Sequence, residues 1–318
     1  MKTRAAIAIA AAIMFVVPLQ SASAAEVVGV SRVVVPPQTD VHLSLPFSRN
    51  PVGEYTVASI VPGSGVTVAD VLVPGAYADT YYVRFVDQDA EGLWATIDDN
   101  GTGSITLLDP AILNFVDPGD TFRVYEHHTL GSVFPPFMFG KSYVAGTKVL
   151  IFKNDLSAMA QNLSADRVAT YTTAAGGVWF GSGGVTSATI LEPETQFILR
   201  NVSDSELQFI AFGKAADFSV SRLVAANGDL NIGTGYPVPV VLKNAGIEGN
   251  QRKVLFYDNA ASGQNKSASK VASYTTGAGG LWFGNGVTGN ELINPSESIT
   301  FRLPVSEAGT KVTFTKPY

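Results

Sequence analysis

Short runs rich in Val, Ile, Thr, Tyr and Phe recur along this chain, and their apolar and polar residues do not follow a helical period. Such runs lie at 27–35, 41–45, 55–60, 81–86, 121–125 and 311–315. Turn sequences rich in Gly, Asn and Pro separate the runs, as at 62–65, 99–101, 175–177 and 278–280. The pattern predicts an all-β chain connected mainly by hairpins, in which only 156–163 resembles a turn or two of helix.

One segment of the chain occurs twice. Residues 164–181 read SADRVATYTTAAGGVWFG and residues 267–284 read SASKVASYTTGAGGLWFG, with thirteen of eighteen positions identical. Fainter echoes extend the match in the same order, pairing 130–135 with 232–237, 148–154 with 253–259, and 191–197 with 293–299. A duplicated segment of this kind indicates two copies of one small fold. We therefore predict two tandem repeated β-sandwich-like domains preceded by an N-terminal β region.

The predicted boundaries follow from the repeat and from the start of the chain. Lys2 and Arg4 precede an apolar run at 5–19, and the small residues at 21–24 form a typical cleavage site. A membrane anchor is the alternative, but Pro18 interrupts the run, which is shorter than the roughly 20 residues that a spanning helix needs. The predicted divisions are 1–24 signal peptide, 25–129 N-terminal β domain, 130–230 first repeat and 231–318 second repeat.

Charge and cysteine content narrow the classes of partner. Removing Lys2 and Arg4 from the 21 basic residues leaves 19 against 27 acidic ones, a net charge of −8, which argues against nucleic acid and anionic lipid. The chain has no cysteine, which excludes disulfides, a thiol nucleophile and thiolate metal sites. We expect an exported protein that is periplasmic, on the cell surface or extracellular, with no membrane-spanning segment after signal removal.

Two motifs carry a resemblance to a known family. Residues 120–135 read DTFRVYEHHTLGSVFP, and residues 42–47 read HLSLPF. These segments resemble motifs of a paralogous family of secreted, mostly β bacterial proteins of unassigned function, typified by verrucomicrobial members. The chain departs from the family pattern at Glu126 and His127, where a Pro followed by an aromatic residue or His is expected. The resemblance implies an exported β architecture and brings no activity, ligand or catalytic residue.

The duplicated hairpins supply the candidate binding residues. Tyr171 and Tyr274 precede the Gly-Gly turns, and Trp179 and Trp282 follow them, each with a Phe directly after it. Adjacent residues of a strand point to opposite faces, so one ring of each Trp-Phe pair must face away from the core. If the tryptophans face outward, the four rings form a platform for sugars. If they face inward, they are core side chains, which is the commoner fate of large aromatic residues.

Asp87, Asp89, Glu91 and Asp98 imitate a calcium loop because oxygen ligands stand at alternate positions. A solvated acidic turn is the competing interpretation, since 81–86 and 93–97 look like the two arms of a hairpin rather than flanking helices. Calcium is the only cofactor with any support in the sequence.

Enzyme chemistry finds little support in the sequence. His42 is predicted to face outward, and His127 and His128 to point to opposite faces of their strand, so the histidines do not suggest a shared metal. The chain lacks a G-x-S-x-G elbow and any nucleotide-binding loop, and no pair of carboxylates stands out for a hydrolase.

The sequence favours a non-enzymatic structural or interaction protein of the cell surface or extracellular space. Its expected partners are itself or another envelope protein, through hairpin aromatics and exposed strand edges. A carbohydrate-binding module that stacks polysaccharide on the hairpin rings is the alternative, and a hydrolase with unrecognised carboxylates comes third.

Overall fold

Strands dominate the computed structural model, which describes residues 28–138, 141–157 and 159–318. The all-β class predicted from the sequence is confirmed, and every run predicted as a strand contains one. The predicted hairpin formed by 81–86 and 93–97 is also confirmed, since its arms pair antiparallel. The described residues of 156–163 form turns rather than helix. The predicted signal peptide, 1–24, lies outside the described residues.

The strands are numbered in chain order. The first are β1 (Val28–Val35), β2 (Asp40–Leu43), β3 (Pro51–Val61), β4 (Gly65–Val68), β5 (Tyr81–Phe85), β6 (Trp94–Asn100), β7 (Ser104–Leu107) and β8 (Thr121–Glu126). Next come β9 (His128–Thr129), β10 (Phe137–Met138), β11 (Lys141–Ser142), β12 (Lys148–Ile151), β13 (Arg167–Thr172), β14 (Val178–Phe180), β15 (Ile190–Leu191), β16 (Phe197–Arg200) and β17 (Leu207–Lys214). The last are β18 (Val220–Val224), β19 (Asp229–Ile232), β20 (Val240–Val241), β21 (Lys253–Phe256), β22 (Lys270–Thr275), β23 (Leu281–Phe283), β24 (Leu292–Ile293), β25 (Ile299–Arg302) and β26 (Thr310–Phe314).

Helical structure in the described residues is short. The helix α1 spans Leu130–Val133, and Thr129 caps it by accepting a hydrogen bond from the Ser132 amide. Short 3-10 helices occupy Gln88–Ala90, Pro110–Phe115, Ala174–Gly176, Leu242–Asn244 and Gly277–Gly279.

Strands β3 to β8 form a closed barrel in the order β3-β4-β7-β6-β5-β8. Alternation along β5 points Val83 and Phe85 into the barrel, where they belong to its own hydrophobic core. The same alternation points Tyr82 and Arg84 to the outside of the barrel, where both are buried against the rest of the molecule. The barrel thus has a packed interior and one outer face that is covered by other parts of the chain.

The remaining strands form two units with matching topology. In the first unit a five-stranded sheet runs β14-β13-β12-β16-β2, and in the second the order is β23-β22-β21-β25-β19. Each unit also has an antiparallel pair, β1 with β17 and β18 with β26, and a short pair, β9 with β15 and β20 with β24. The two copies of the sequence repeat occupy equivalent hairpins, β13-β14 and β22-β23, and each unit has its own core.

The strand pairing runs across the predicted domain boundaries. Strands β1 and β2 fall in the predicted N-terminal domain, yet they pair with β17 and β16 of the first unit. Strand β18 falls in the predicted first repeat, yet it pairs with β26 of the second unit. The barrel is an insertion between β2 and β9 of the first unit. The repeat was not visible in the sequence at the opening strands of the two units, because these strands share few identities and the insertion separates β1 and β2 from the rest of their unit.

The two units contact each other reciprocally through equivalent side chains. Asn259 of the second unit accepts a hydrogen bond from the His42 amide at 2.8 Å and donates one to the His42 carbonyl oxygen at 3.0 Å. Asn154 of the first unit does the same with Asn231, at 3.0 and 2.9 Å. Each asparagine thus extends the edge strand of the other unit, as the two halves of an isologous contact do.

Ion pairs at the contact between the two units show the same reciprocity as the asparagines. Arg200 pairs with Asp40 through two bonds of 2.7 Å and donates to Asn265 of the second unit. The equivalent bonds join Arg302 to Asp229 at 2.6 and 2.7 Å and to an asparagine of the first unit, Asn162. The contact uses β2 and β19, each at one end of its five-stranded sheet. The hairpin strands β14 and β23 therefore form the opposite, outer ends of the pair.

Candidate functional site

The tryptophans of the two hairpins face the cores. Trp179 is 2% exposed and donates from Nε1 to the Phe134 carbonyl oxygen at 2.8 Å, and Trp282 is 5% exposed. Strand pairing puts Tyr171 opposite Trp179 and Tyr274 opposite Trp282, with ring centroids 5.2 Å apart in both hairpins. The structure brings each predicted pair together, but on the inner face. Neither tryptophan offers an open ring face on which a sugar could stack.

The phenylalanines beside them face outward. Phe180 is 50% exposed and Phe283 is 48% exposed, because each directly follows an inward-facing tryptophan. Val178 and Leu281 are exposed on the same outer faces. The sequence predicted that one ring of each pair would point away from the core, and the structure identifies that ring as Phe.

Two apolar outer surfaces result. The first hairpin face consists of Val168, Val178 and Phe180, and the second consists of Val271, Leu281 and Phe283. Both lie on edge strands, since β14 pairs only with β13 and β23 pairs only with β22 among the described residues. Unpaired strand edges beside apolar side chains are surfaces to which further strands can add.

The predicted calcium ligands are not gathered around one point. The Asp87 carboxylate accepts a hydrogen bond from the Thr121 amide at 2.8 Å, and the Glu91 carboxylate accepts one from the Ser219 amide at 2.8 Å. Asp98 lies on β6, and no hydrogen bond joins it to the others. Asp89 accepts from the Lys311 ammonium through its backbone carbonyl. Among the described residues, no group of three or more His, Asp or Glu side chains is arranged to hold a metal ion.

His42 lies on the face of β2 opposite Val41 and Leu43, as alternation predicts, but it is buried rather than exposed to solvent. Its ring stacks on Tyr257 of the second unit with centroids 3.7 Å apart, because that unit covers the outer face of β2. Burial, with a smaller effect of Lys266, lowers the pKa of His42 to about 4. His127 and His128 do lie in different surroundings, the first beside Trp94 and the second beside Arg49.

A buried cluster of charges lies where the barrel meets both units. Arg84, on the outer face of the barrel, donates to both Glu194 carboxylate oxygens at 2.8 and 2.9 Å. Arg222 of β18 lies 3.6 Å from the same carboxylate, and its guanidinium stands 4.1 Å from the centroid of the Trp94 ring. Each part of the fold supplies one member of the cluster, so the cluster fixes the three parts together.

The packing of the cluster shifts the pKa values of the side chains within and beside it. Burial, helped by Arg84, lowers the pKa of Arg222 to about 10, although Glu194 acts to raise it. Burial also raises the pKa of the neighbouring Glu192 carboxyl above its ordinary value, against the opposing effects of Arg222 and Lys153. The Glu194 carboxylate is thus shared by two guanidinium groups: it accepts both hydrogen bonds from Arg84 and lies 3.6 Å from Arg222.

A polar cleft opens beside this cluster. One cavity of about 530 Å³ is lined by Trp94, Asp155, Glu192 and Arg222, among others. A second cavity of about 400 Å³ is lined by residues of β12, β13 and β15. Thr96, Leu108, Lys153 and Glu192 border both cavities, which makes them one elongated feature that we call the junction cleft.

Sequence reasoning missed the charge cluster and the cleft. Their residues come from distant parts of the chain, and Arg84 is 110 positions from Glu194. One signal was available: the aligned repeat segments 191–197 and 293–299 differ in charge, with Glu192 and Glu194 in the first and Asn294 and Ser296 in the second. Acidic residues that occur at these positions in only one copy indicate that the two copies have different surroundings there.

Comparison with protein-family models, with curated proteins and with solved structures finds no match to this chain. In the described part of the chain, no helix is long and apolar enough to cross a bilayer.

Proposed function

We propose that this chain is an exported, non-enzymatic structural protein that assembles with further copies of itself through its two hairpin faces. The observation that supports the proposal is a half-exposed phenylalanine at the same place in both units, Phe180 and Phe283. Both copies of the repeat keep this residue identical on a surface where burial does not require it.

The surroundings of the phenylalanines favour another copy of the chain as the partner. Val178 and Leu281 enlarge the apolar faces, and the strands that carry them have an open edge. The two faces have nearly the same chemistry, so either face of one molecule suits either face of the next. Strand addition at such an edge combines backbone hydrogen bonds with apolar burial.

Two equivalent faces at opposite ends make the molecule bivalent. A bivalent molecule whose contacts do not close on themselves forms linear chains rather than a single dimer. The reciprocal contact between the two units, with its paired asparagines and ion pairs, supplies the rigid spacing between the faces. This arrangement suits a building block of an extracellular layer or filament.

Light scattering over a range of protein concentrations tests the proposal. We expect the average mass of the purified protein to rise with concentration and the double variant F180S/F283S to remain a monomer. Removing each ring should weaken a contact by about 1–2 kcal/mol, since full burial of a Phe side chain is worth about 1.5–3 kcal/mol. The control variant V71S/V305S removes two apolar side chains that are more exposed than either Phe and should assemble like the parent. A parent protein that stays monomeric at all concentrations would refute the proposal.

A further inference from the structure

The junction cleft is a feature that self-assembly does not use. It lies between the outer face of the barrel and the segment that follows β12, and Arg222 of the second unit forms part of its wall. Each of its two cavities falls within the range of about 300–1,000 Å³ that is typical of ligand pockets. The hairpin faces do not contribute to its lining.

Carboxylates outnumber cations in the lining of the cleft, with Asp79, Asp109, Asp155, Asp166 and Glu192 against Lys153, Arg167 and Arg222. The Lys153 ammonium lies 3.2 Å from the Asp155 carboxylate, and the Arg167 guanidinium lies 3.3 Å from the Asp166 carboxylate. An anionic ligand would therefore meet carboxylates as well as cations, which disfavours phosphates and acidic polymers. A ligand without charge loses nothing from this arrangement.

Hydrogen-bonding groups of both kinds are present in the cleft. Glu192 and Asp155 supply acceptors, Lys153 supplies donors, and the hydroxyls of Thr96 and Ser157 can act as either. A ligand that matches them must carry many groups that both donate and accept, as the hydroxyls of a sugar do.

The cleft also has apolar surface. Leu108 is 59% exposed at the border shared by the two cavities, and Trp94 forms part of the wall beside it. Sugar rings have apolar C–H faces as well as hydroxyl edges, so a mixed lining suits them better than it suits a hydrocarbon. A separate cavity of about 450 Å³, bordered by Val28, Leu45, Val133 and Ile210 and also by Arg49 and Lys214, is more apolar than the junction cleft.

The wall of the cleft is fixed in advance of binding. Arg222 stacks on Trp94 and donates from Nη2 to the Pro193 carbonyl oxygen, so both side chains are restrained. A restrained wall lowers the entropy that binding must overcome. From the shape, the excess of carboxylates over cations and the mixed lining, we propose that the junction cleft binds a neutral oligosaccharide.

Tryptophan fluorescence and calorimetry with defined sugars test the proposal. The probes are hexasaccharides of β-1,4-glucose, α-1,4-glucose, β-1,3-glucose and β-1,4-xylose, with hexagalacturonate as the anionic comparison. We expect at least one neutral hexasaccharide to bind and to change the fluorescence of the protein. The change should be absent in W94F, whereas W282F, which alters a tryptophan outside the cleft, should retain it.

Leu108→Ser provides a variant that should fold, because the side chain is largely exposed. It should weaken binding by about fivefold, the equivalent of roughly 1 kcal/mol, while Val71→Ser on another exposed loop of the barrel should not. Failure of all four neutral hexasaccharides at millimolar concentration, or salt-sensitive binding of hexagalacturonate alone, would overturn the proposal. The test is independent of self-assembly: F180S/F283S should bind sugar normally, and L108S should assemble normally.

Discussion

The two units share one backbone framework and differ in the charges that lie beside it. Glu194 of the first unit holds two arginines, whereas the equivalent residue of the second unit is Ser296. Arg222 on β18 occupies the register position that Val33 has on β1. Glu194 and Arg222 both lie under the barrel, which is inserted in the first unit only. The comparison indicates that the inserted barrel, rather than the repeat itself, accounts for the charge cluster and its cleft.

The largest expected difference between the units is at these two equivalent positions. Glu194→Gln removes the negative charge that pairs the fully buried Arg84, so it should lower the free energy of unfolding by about 3–5 kcal/mol. Ser296→Ala removes a buried hydroxyl that has no hydrogen-bond partner among the described residues and should cost less than about 1 kcal/mol. Urea denaturation measures both values. Equal losses of unfolding free energy in the two variants would show that the charge cluster does not hold the fold together more strongly than the equivalent region of the second unit.

A pH-dependent difference is expected next, at His42 and its counterpart Asn231. His42 has a folded pKa of about 4, below the ordinary value of 6.5. The unfolded chain then binds more protons than the folded one, so stability should fall as the pH falls from about 6.5 towards 4. His42→Asn, which copies the second unit, should remove up to about 3 kcal/mol of this pH dependence.

Urea denaturation of the parent and H42N at pH 7 and pH 4.5 measures the effect. His127 and His128 also have lowered pKa values, so part of the pH dependence should remain in the variant. An unchanged pH dependence in H42N would mean that the stacked ring titrates like an exposed histidine.

The reciprocal asparagines should behave alike. Asn154→Ala and Asn259→Ala each remove two hydrogen bonds to the edge strand of the other unit. We expect each variant to lose about 2 kcal/mol of stability, with the two values within about 1 kcal/mol of each other. Denaturation of the two variants side by side checks the symmetry, and a loss in only one of them would show that one half of the contact dominates.

The smallest expected difference separates the two core tryptophans. Trp179 donates to a backbone carbonyl, whereas the buried Nε1 of Trp282 has no partner among the described residues. Trp179→Phe should therefore cost about 1 kcal/mol more than Trp282→Phe, because only the first change leaves an acceptor unpaired. Thermal or urea denaturation resolves this difference, and the reverse order would contradict a stabilising role for the Trp179 hydrogen bond.

Local pattern predicted the β class and the hairpins well. Runs such as β5 and β26 were predicted because alternation and turn residues act over a few positions. The match of Tyr171 with Trp179 across a turn followed from the same local information.

Features that depend on distant contacts were not predicted. The sequence alone did not decide whether Trp or Phe of each hairpin faces the core, since both are large and apolar. His42 alternates with apolar neighbours as an exposed residue does, and only packing of the second unit on β2 buries it. The charge cluster joins residues from the barrel and both units, so no local spacing encodes it.

Sedimentation velocity of the single variants F180S and F283S shows whether the protein is a bivalent building block. With one hairpin face left, each variant should stop at a dimer, while the parent forms longer assemblies at the same concentration. Two equivalent faces predict nearly the same dimer affinity for both variants. A single variant that assembles as far as the parent, or a parent that sediments only as a monomer, would show that the two hairpin faces do not make the protein bivalent.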